Sequence, residues 1–395
     1  MKKQIFFIGF LFFGFFFVTQ SAEAATYYVA TTGNDANSCA TVTNINTPRR
    51  TIAGGLSCLS GGDTLTIKSG TYTEGIAYNA IPSGLSDQQR TIVRGAPGET
   101  VIINGATAGY TIAIMNRDYI TLDGLIIDAA NAAPNTAAMV VGSTGSSGDP
   151  GAHYITLQNS VLRRTGGGNS TIEGFETHGY PSGLSHHLRL NNVEIYGFGS
   201  SISNQIHAVY TNASDSIIEN STIHDNHGGH GIHQFSSDNT NFASNNIYRN
   251  NRIYNNNGSF CIGIYSGTNN LIYNNLCYGN GGTSGFGGIR ADYGSNGAKI
   301  YHNTVYQNMG PAVYIGSGAS NTVVKNNIGY NNGSDSINNA GTGTTFSNNL
   351  FINPIFANAS IFDFHLQSTS PAINAGATLG SPYNVDFEGT LRPQG

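Results

Sequence analysis

The sequence predicts an all-β solenoid of stacked parallel strands, and three observations predict it. The first is a phrase that recurs between Ser214 and Asn332: an apolar residue, one or two Asn, an apolar residue, an aromatic and a closing Asn. It reads I-I-E-N-S-T-I-H-D-N up to Asn226, I-Y-R-N-N-R-I-Y-N-N up to Asn256, L-I-Y-N-N-L-C-Y-G-N up to Asn280, K-I-Y-H-N-T-V-Y-Q-N up to Asn308 and V-V-K-N-N-I-G-Y-N-N up to Asn332. The second is its spacing. Aligning the aromatic gives His224, Tyr254, Tyr278, Tyr306 and Tyr330, separated by 30, 24, 28 and 24 residues, and repeats of this size bury their apolar faces only against neighbouring copies. The third is composition: charged residues are 10% of the chain, Gly numbers 52 and Trp is absent, which suits a sheet with many tight turns. Disorder is excluded, because 39% of the residues are hydrophobic, in regular positions, at a formal charge of only -5. That charge also argues against binding nucleic acid by bulk electrostatics.

The first element in order is a targeting segment. Lys2 and Lys3, an apolar run from Ile5 to Val18 and Ala22-Glu23-Ala24 follow the order of a secretory signal peptide cleaved near Ala24. The run is short for a bilayer and nothing later is longer, so the mature protein is expected to be secreted or periplasmic, with no membrane span, and to act as a monomer. T-Y-Y-V from Thr26 reads as a strand that breaks at G-N-D. A short capping helix follows, with Thr47 as cap, Pro48 in the first turn and Ile52, Leu56 and Leu59 on one face before Gly61. Then G-D-T-L-T-I-K-S-G-T-Y-T-E gives strand, turn and strand, with Leu65 and Ile67 inward.

Together, Y-Y-V, G-N-D, the short helix, G-D-T-L and G-T-Y-T-E, with the later repeats, resemble the secreted bacterial right-handed parallel β-helix proteins, a pectate lyase-like group that includes alginate lyase-like and chondroitinase B-like enzymes. The resemblance spans nearly all of the mature chain. It implies a right-handed parallel β-helix with a short N-terminal capping helix, and polysaccharide chemistry on the face formed by the first strand of each rung. The expected organisation is signal peptide 1–24, cap and first rungs 25–90, repeats 91–350, and a C-terminal cap or tail 351–395, with roughly nine rungs or more.

Extending the aromatic column backward gives Tyr196, Arg163 and Asp128, each four residues after Asn192, Asn159 and Gly124. The intervals widen there, which assigns the extra residues to loops, chiefly 131–150 and 165–185. Asn220, Asn250, Asn274 and Asn326 form a matching column, read as a structural ladder at left-handed turns. His302 takes that place in its rung. The tyrosine column is read first as a structural stack and second as a sugar platform. Of four cysteines, Cys39 and Cys58 are expected to pair and staple the cap, whereas Cys277, inward like Ile253 and Val305, reads as a small buried hydrophobe.

Between repeats lies another strand phrase, H-A-V-Y, H-G-I-H, I-G-I-Y, G-G-I-R and P-A-V-Y-I. Val209, Ile232, Ile264, Ile289 and Val313 point inward, and the outward column is Tyr210, His233, Tyr265, Arg290 and Tyr314, with Glu176 of G-F-E-T-H one rung below. Unlike polar groups repeating about every 4.8 Å along a face suit a sugar chain. A uronate lyase or C5 epimerase needs a cation for the carboxylate, a base for the C5 proton and an acid for the leaving oxygen. The expected catalytic residues are Arg290 as the cation, His233 as base and Tyr265 as acid or relay. Glu176, Tyr210, Tyr314, His207 and His230 are the expected substrate-binding residues. The bland alternative is a face of Tyr and Asn that only stacks on itself, in a non-catalytic carbohydrate-binding or surface protein.

No metal is assigned to the crowded histidines His207, His224, His227 and His230, whose flanking glycines make a loose scaffold. No cofactor is predicted. Ca²⁺ stays open at Asp215, Asp225 and Asp238, whose scattered spacing points first to turns. Gly229-His230-Gly231 matches the G-H-G of polygalacturonase-like hydrolases, but the trio of Asp residues on neighbouring rungs that such enzymes need has no N-T-D or D-D phrase upstream to supply it, so the hydrolase ranks behind the other readings.

Overall fold

A computed structural model describes residues 23–106, 109–146, 148–166, 170–179, 184–200, 205–236, 242–282 and 285–392. The targeting segment falls almost wholly outside these residues. The chain winds into a coil of parallel strands with three faces. One face is a nine-stranded sheet, running from Ile112–Met115 through Thr136–Gly142, Ile172–His178, Val209–Thr211, Ile232–Gln234, Ile262–Ile264, Ile289–Ala291 and Pro311–Ile315 to Ser334–Asn339. The other two faces form one 20-stranded sheet bent at a corner. In the lower rungs His153–Arg163 and Arg189–Tyr196 each cross that corner as a single strand. The nine rungs of the first sheet match the repeat count expected from the sequence.

The aromatic column holds its register throughout: Asp128, Arg163, Tyr196, His224, Tyr254, Tyr278, Tyr306 and Tyr330 pair in that order. Two of the stretches assigned to loops are not loops, because 131–150 and 165–185 contain the first-sheet strands Thr136–Gly142 and Ile172–His178. The signal was hidden in A-A-M-V-V, where Val140 faces outward yet stays apolar, packing with Ala113, Met115, Tyr78 and Tyr110.

The corners explain the Asn content. Asn220, Asn250, Asn274, His302 and Asn326 all have φ between 53° and 59°, the left-handed conformation that Asn tolerates best after Gly. They stack by register as expected, but the hydrogen-bonded ladder stands one residue later. Asn251, Asn275, Asn303 and Asn327 are buried, and each amide donates from Nδ2 to Oδ1 of the next rung, at 3.0, 3.0, 3.0 and, to Asn349, 2.9 Å. A second ladder, buried from Asn226 through Asn256 and Asn280 to Asn308, ends at half-buried Asn332. The left-handed residue makes the bend, and the residue after it turns into the coil, where its amide satisfies backbone groups that the corner exposes. Asp215 and Asp225 occupy such left-handed corner positions, and Asp238 lies outside the described residues.

Below, the helix Ile52–Leu56 closes the coil with Ile52 and Leu56 buried against the first rungs. Its cap is Thr51, not Thr47, and the Glu74 carboxylate accepts the N–H groups of Ile52 and Ala53. The Thr47 hydroxyl donates to the Thr41 carbonyl instead, and Pro48 lies before the helix and not in its first turn. Both pairs of cysteines are bridged, Cys39 to Cys58 as expected and Cys261 to Cys277. Cys277 is inward as predicted, but it is not a free hydrophobe. Gly174, Ala208, Gly231, Cys261, Gly288 and Ala312 precede the inward apolar residues of successive first-sheet strands, and from this position Cys261 reaches across the interior to Cys277. The tail runs back along the flank: Phe362 stacks on Tyr278 at 4.6 Å, Tyr383 packs edge-on against Tyr273 and Tyr301, and Arg392 donates to Asn274 Oδ1. The tyrosine column is therefore a covered structural stack in its middle. Among the described residues no helix is long and apolar enough to cross a membrane.

Candidate active site

Register and backbone bonding draw two lines of side chains up the first sheet. The central line is Glu176, Tyr210, His233, Gly263, Arg290 and Tyr314. It holds every residue expected there except Tyr265. The sequence alignment set the second isoleucine of I-G-I-Y against Ile232, whereas the sheet pairs the first, Ile262, with Ile232. Gly263 thus stands between His233 and Arg290, and Tyr265 lies two residues further on. Tyr265 nevertheless returns to the site, because its ring leans over the space that Gly263 leaves. A Cβ added at Gly263 would sit 2.6 Å from Tyr265 Cε2 and 2.7 Å from His230 Cδ2.

A second line, on the side where each strand begins, is Glu173, His207, His230 and Phe260, linked by backbone bonds from Gly174 to His207, Ala208 to His230 and Gly231 to Phe260. His207 is 1% exposed and His230 6%, so both stand behind the face and not on it, where the sequence had placed them as substrate contacts. Burial drives both imidazoles well below their ordinary pKa, with His233 adding to the effect. His233 is held at about 3, by burial first and by the Arg290 charge second. It is neutral at any working pH, and its Nδ1 is buried without a partner.

Arg290 is caged by rings. Its guanidinium carbon lies 4.9 Å from the centroids of Tyr265 and Tyr314 and 5.2 Å from that of Phe260, a set of cation–π contacts. Burial works against its charge, but Tyr265, Asp292 and Tyr314 outweigh it and the pKa rises. Asp292 pairs with it at 2.5 Å. Tyr293, beside this cage, is 62% exposed.

At the lower end, Glu176 is joined by Glu173, which sequence reasoning missed. Burial raises both carboxyls, and the charge of Glu176 raises Glu173 further. Glu173 Oε2 is buried without a partner. With Tyr210, Asn212 and Phe235 the two acids line a cavity of about 360 Å³. E-G-F-E offers no alternation to follow, because Gly174 and Phe175 both turn inward and leave the flanking acids on one side.

His207, His230 and His233 offer nitrogens within 4.8 Å of one another, a spacing that an ion can bridge. Two of the three already have partners: His207 Nδ1 accepts the His230 N–H at 2.9 Å, and His230 Nε2 meets the Tyr265 hydroxyl at 2.6 Å. In this arrangement the trio is a hydrogen-bonded network before it is a ligand set.

A family model described as the right handed beta helix region matches residues 182–351. The coil described above has that fold, a right-handed parallel β-helix. Among solved structures, pectate lyase Pel9A has the same fold at a TM-score of 0.59 and 16% identity, over 90% of this chain and 92% of that one. The A-module of the mannuronan C-5 epimerase AlgE6 of Azotobacter vinelandii gives 0.51 and 16%, over 75% and 94%. PfbA, a surface adhesin of Streptococcus pneumoniae, gives 0.50 and 14%, over 74% and 78%. At such identities the likeness of this β-helix protein to them is one of fold. No curated protein sequence matches the chain.

Proposed function

We propose that this β-helix protein acts on a uronate-containing polysaccharide laid along its first sheet, removing the C5 proton and then either eliminating the C4 oxygen, as a lyase, or returning a proton to C5, as an epimerase. The observation that carries this reading is the convergence of a permanent cation, Arg290, with neutral His233 and the Tyr265 ring around the vacancy at Gly263. C5 is acidic only when charge on the neighbouring carboxylate is offset, and Arg290 supplies that offset. His233 and Tyr265 share the proton transfers. Tyr210, Tyr314 and Glu176 flank them on the same line and are proposed sugar contacts. Two disulfides suit an oxidising compartment outside the cytoplasm.

Incubation with pectate, alginate and glycosaminoglycans tests the reading. New ultraviolet-absorbing unsaturated ends identify a lyase, and deuterium entering C5 from D₂O without chain cleavage identifies an epimerase. Neither signal from any polymer ends the enzymatic reading. One observation favours a second reading, binding without turnover: Asp292 already pairs with Arg290 and reduces the charge that a substrate carboxylate meets. Retention of a polymer on the protein with no chemical change is its outcome in the same screen.

A further inference from the structure

We propose that Tyr265 is the group that accepts the substrate proton, and that His230, a histidine behind the face held in one tautomer by His207, receives the phenolic proton in turn. This deepens the reading above and rests on it, moving the proton transfers shared there with His233 onto Tyr265 and His230. The lone pairs of the two histidines fix the arrangement. Backbone N–H of His230 donates to His207 Nδ1 at 2.9 Å, so that nitrogen carries its lone pair and the His207 proton sits on Nε2. His230 Nδ1 stands 3.3 Å from the same atom. Two lone pairs would repel there, so His230 carries its proton on Nδ1 and its lone pair on Nε2. That leaves one arrangement for the 2.6 Å contact between His230 Nε2 and Tyr265 Oη: the phenol donates inward.

A tyrosine whose hydrogen points into the protein keeps its oxygen lone pairs for what lies outside. It is set to take a proton and not, in its resting state, to give one. When Tyr265 Oη takes the C5 proton, its own proton passes to His230 Nε2, and the electrons of the C5–H bond move into the carboxylate as an enolate facing Arg290. No free phenolate is needed. In the elimination the C4–O4 bond breaks, O4 takes the proton from Tyr265, and Tyr265 recovers one from His230. The C5 proton is thereby balanced by the one gained at O4, and the histidines end as they began.

Gly263 is the condition for this arrangement, since any side chain there would part Tyr265 from His230. The groups facing His230 are His207, His233, Phe260, Ser259, Tyr265 and Arg290. None is an anion, so the proton it receives is not trapped and returns readily. His207 and His230 are thus positioning residues acting through Tyr265.

Nitrogen NMR of ¹⁵N-histidine-labelled protein, without substrate, tests these tautomers directly. The expected spectrum has His230 protonated on Nδ1 and His207 on Nε2, with the His230 signal moved in Tyr265→Phe. A His230 proton on Nε2 overturns the proposal. The kinetic arm uses the polymer found in the screen. His230→Leu is expected to lower kcat about a hundredfold or more at nearly constant KM. His207→Gln, whose amide oxygen can accept the same two N–H groups, is expected to retain most turnover while His207→Leu loses it, all variants being checked for native circular dichroism. Equal losses in His207→Gln and His207→Leu, or full turnover in His230→Leu, also overturn it. The absence of turnover on every polymer would remove the enzymatic reading and the acceptor role together, while the NMR result alone would still decide the tautomers.

Discussion

Arg290, on the strand Ile289–Ala291, and Asp292, just past its end, close an ion pair at 2.5 Å beneath the ring of Tyr265, with only 17% and 12% of their side chains exposed. Viewed from the sequence, Arg290 is an outward residue whose truncation costs within about 0.5 kcal/mol. The pair changes that expectation. Arg290→Ala leaves Asp292 buried without its counter-charge and empties a cage of rings, so a loss of about 3 kcal/mol is expected in urea unfolding. Turnover should fall about a hundredfold or more, because the developing enolate loses its cation. Tyr314→Phe, which keeps the ring beside Arg290, is the control and should leave the ion pair and the fold unchanged. Unaltered stability in Arg290→Ala would show that the pair contributes nothing to the fold.

Acid should weaken the fold early, and the buried histidines give the sign. His233 has a folded pKa of about 3 against 6.5 unfolded. Between those values the unfolded chain binds a proton that the folded chain refuses, so its contribution is whole above pH 6.5 and is lost as pH falls towards 3, at most about 5 kcal/mol in all. His207 and His230 move the same way. Glu173 and Glu176 oppose them, since carboxyls raised by burial favour the folded state at low pH and lose that advantage as pH rises through their folded values. Unfolding free energies measured from pH 7.5 down to 5 should therefore decline, and His233→Gln should flatten the decline by close to one proton. An unchanged slope in that variant would mean His233 is accessible to protons in the folded chain.

How much of this was legible in the sequence follows from what each residue answers to. The aromatic column from Asp128 to Tyr330 was readable to the residue because inward and outward positions alternate with a fixed period and every rung repeats them. The Glu176, Tyr210, His233 and Arg290 line was readable for the same reason. Tyr265 was displaced by two positions because I-G-I-Y has two isoleucines that fit the pattern equally, and only the pairing across strands distinguishes them. Glu173 and the inward turns of Gly174 and Cys261 were not readable, since a bend at the start of each first-sheet strand breaks the alternation. Nor was the tautomer chain through His207 and His230, which depends on ring orientations that no spacing encodes.

The shift of the Asn ladder by one residue gives opposite expectations for adjacent side chains. Asn251 is buried, donates to Asn275 Oδ1 and the Ile218 carbonyl, and its Oδ1 accepts the Ser221 N–H. Asn251→Ala leaves several buried partners unsatisfied and should cost about 2–4 kcal/mol. Its neighbour Asn250 supplies mainly a left-handed bend at φ 55°, so Asn250→Gly should change stability by less than about 1 kcal/mol. Chemical unfolding of the two single variants compares them, and an equal loss in both would return the ladder to the column first read from the sequence.

The second disulfide allows the cross-link to be separated from the packing. Cys261 lies in the inward line occupied by Ala208 and Ala312, and Cys277 in the one occupied by Ile253 and Val305, so Cys261→Ala with Cys277→Val places in each line a residue that it already holds elsewhere. The change removes a bridge closing a sequence separation of 16 residues, and for a loop of that size the lost restraint on the unfolded chain amounts to about 3 kcal/mol. Because both replacements match their stacks, little of the measured loss should come from a cavity. The fold should persist, with the loss appearing in unfolding midpoint and not in the cooperativity of the transition. Mass mapping of unreduced protein should show Cys261 joined to Cys277 alongside Cys39 to Cys58. Free thiols at 261 and 277, or a double variant as stable as the parent, would mean that the first sheet and the corner stack opposite it are held together by apolar packing alone.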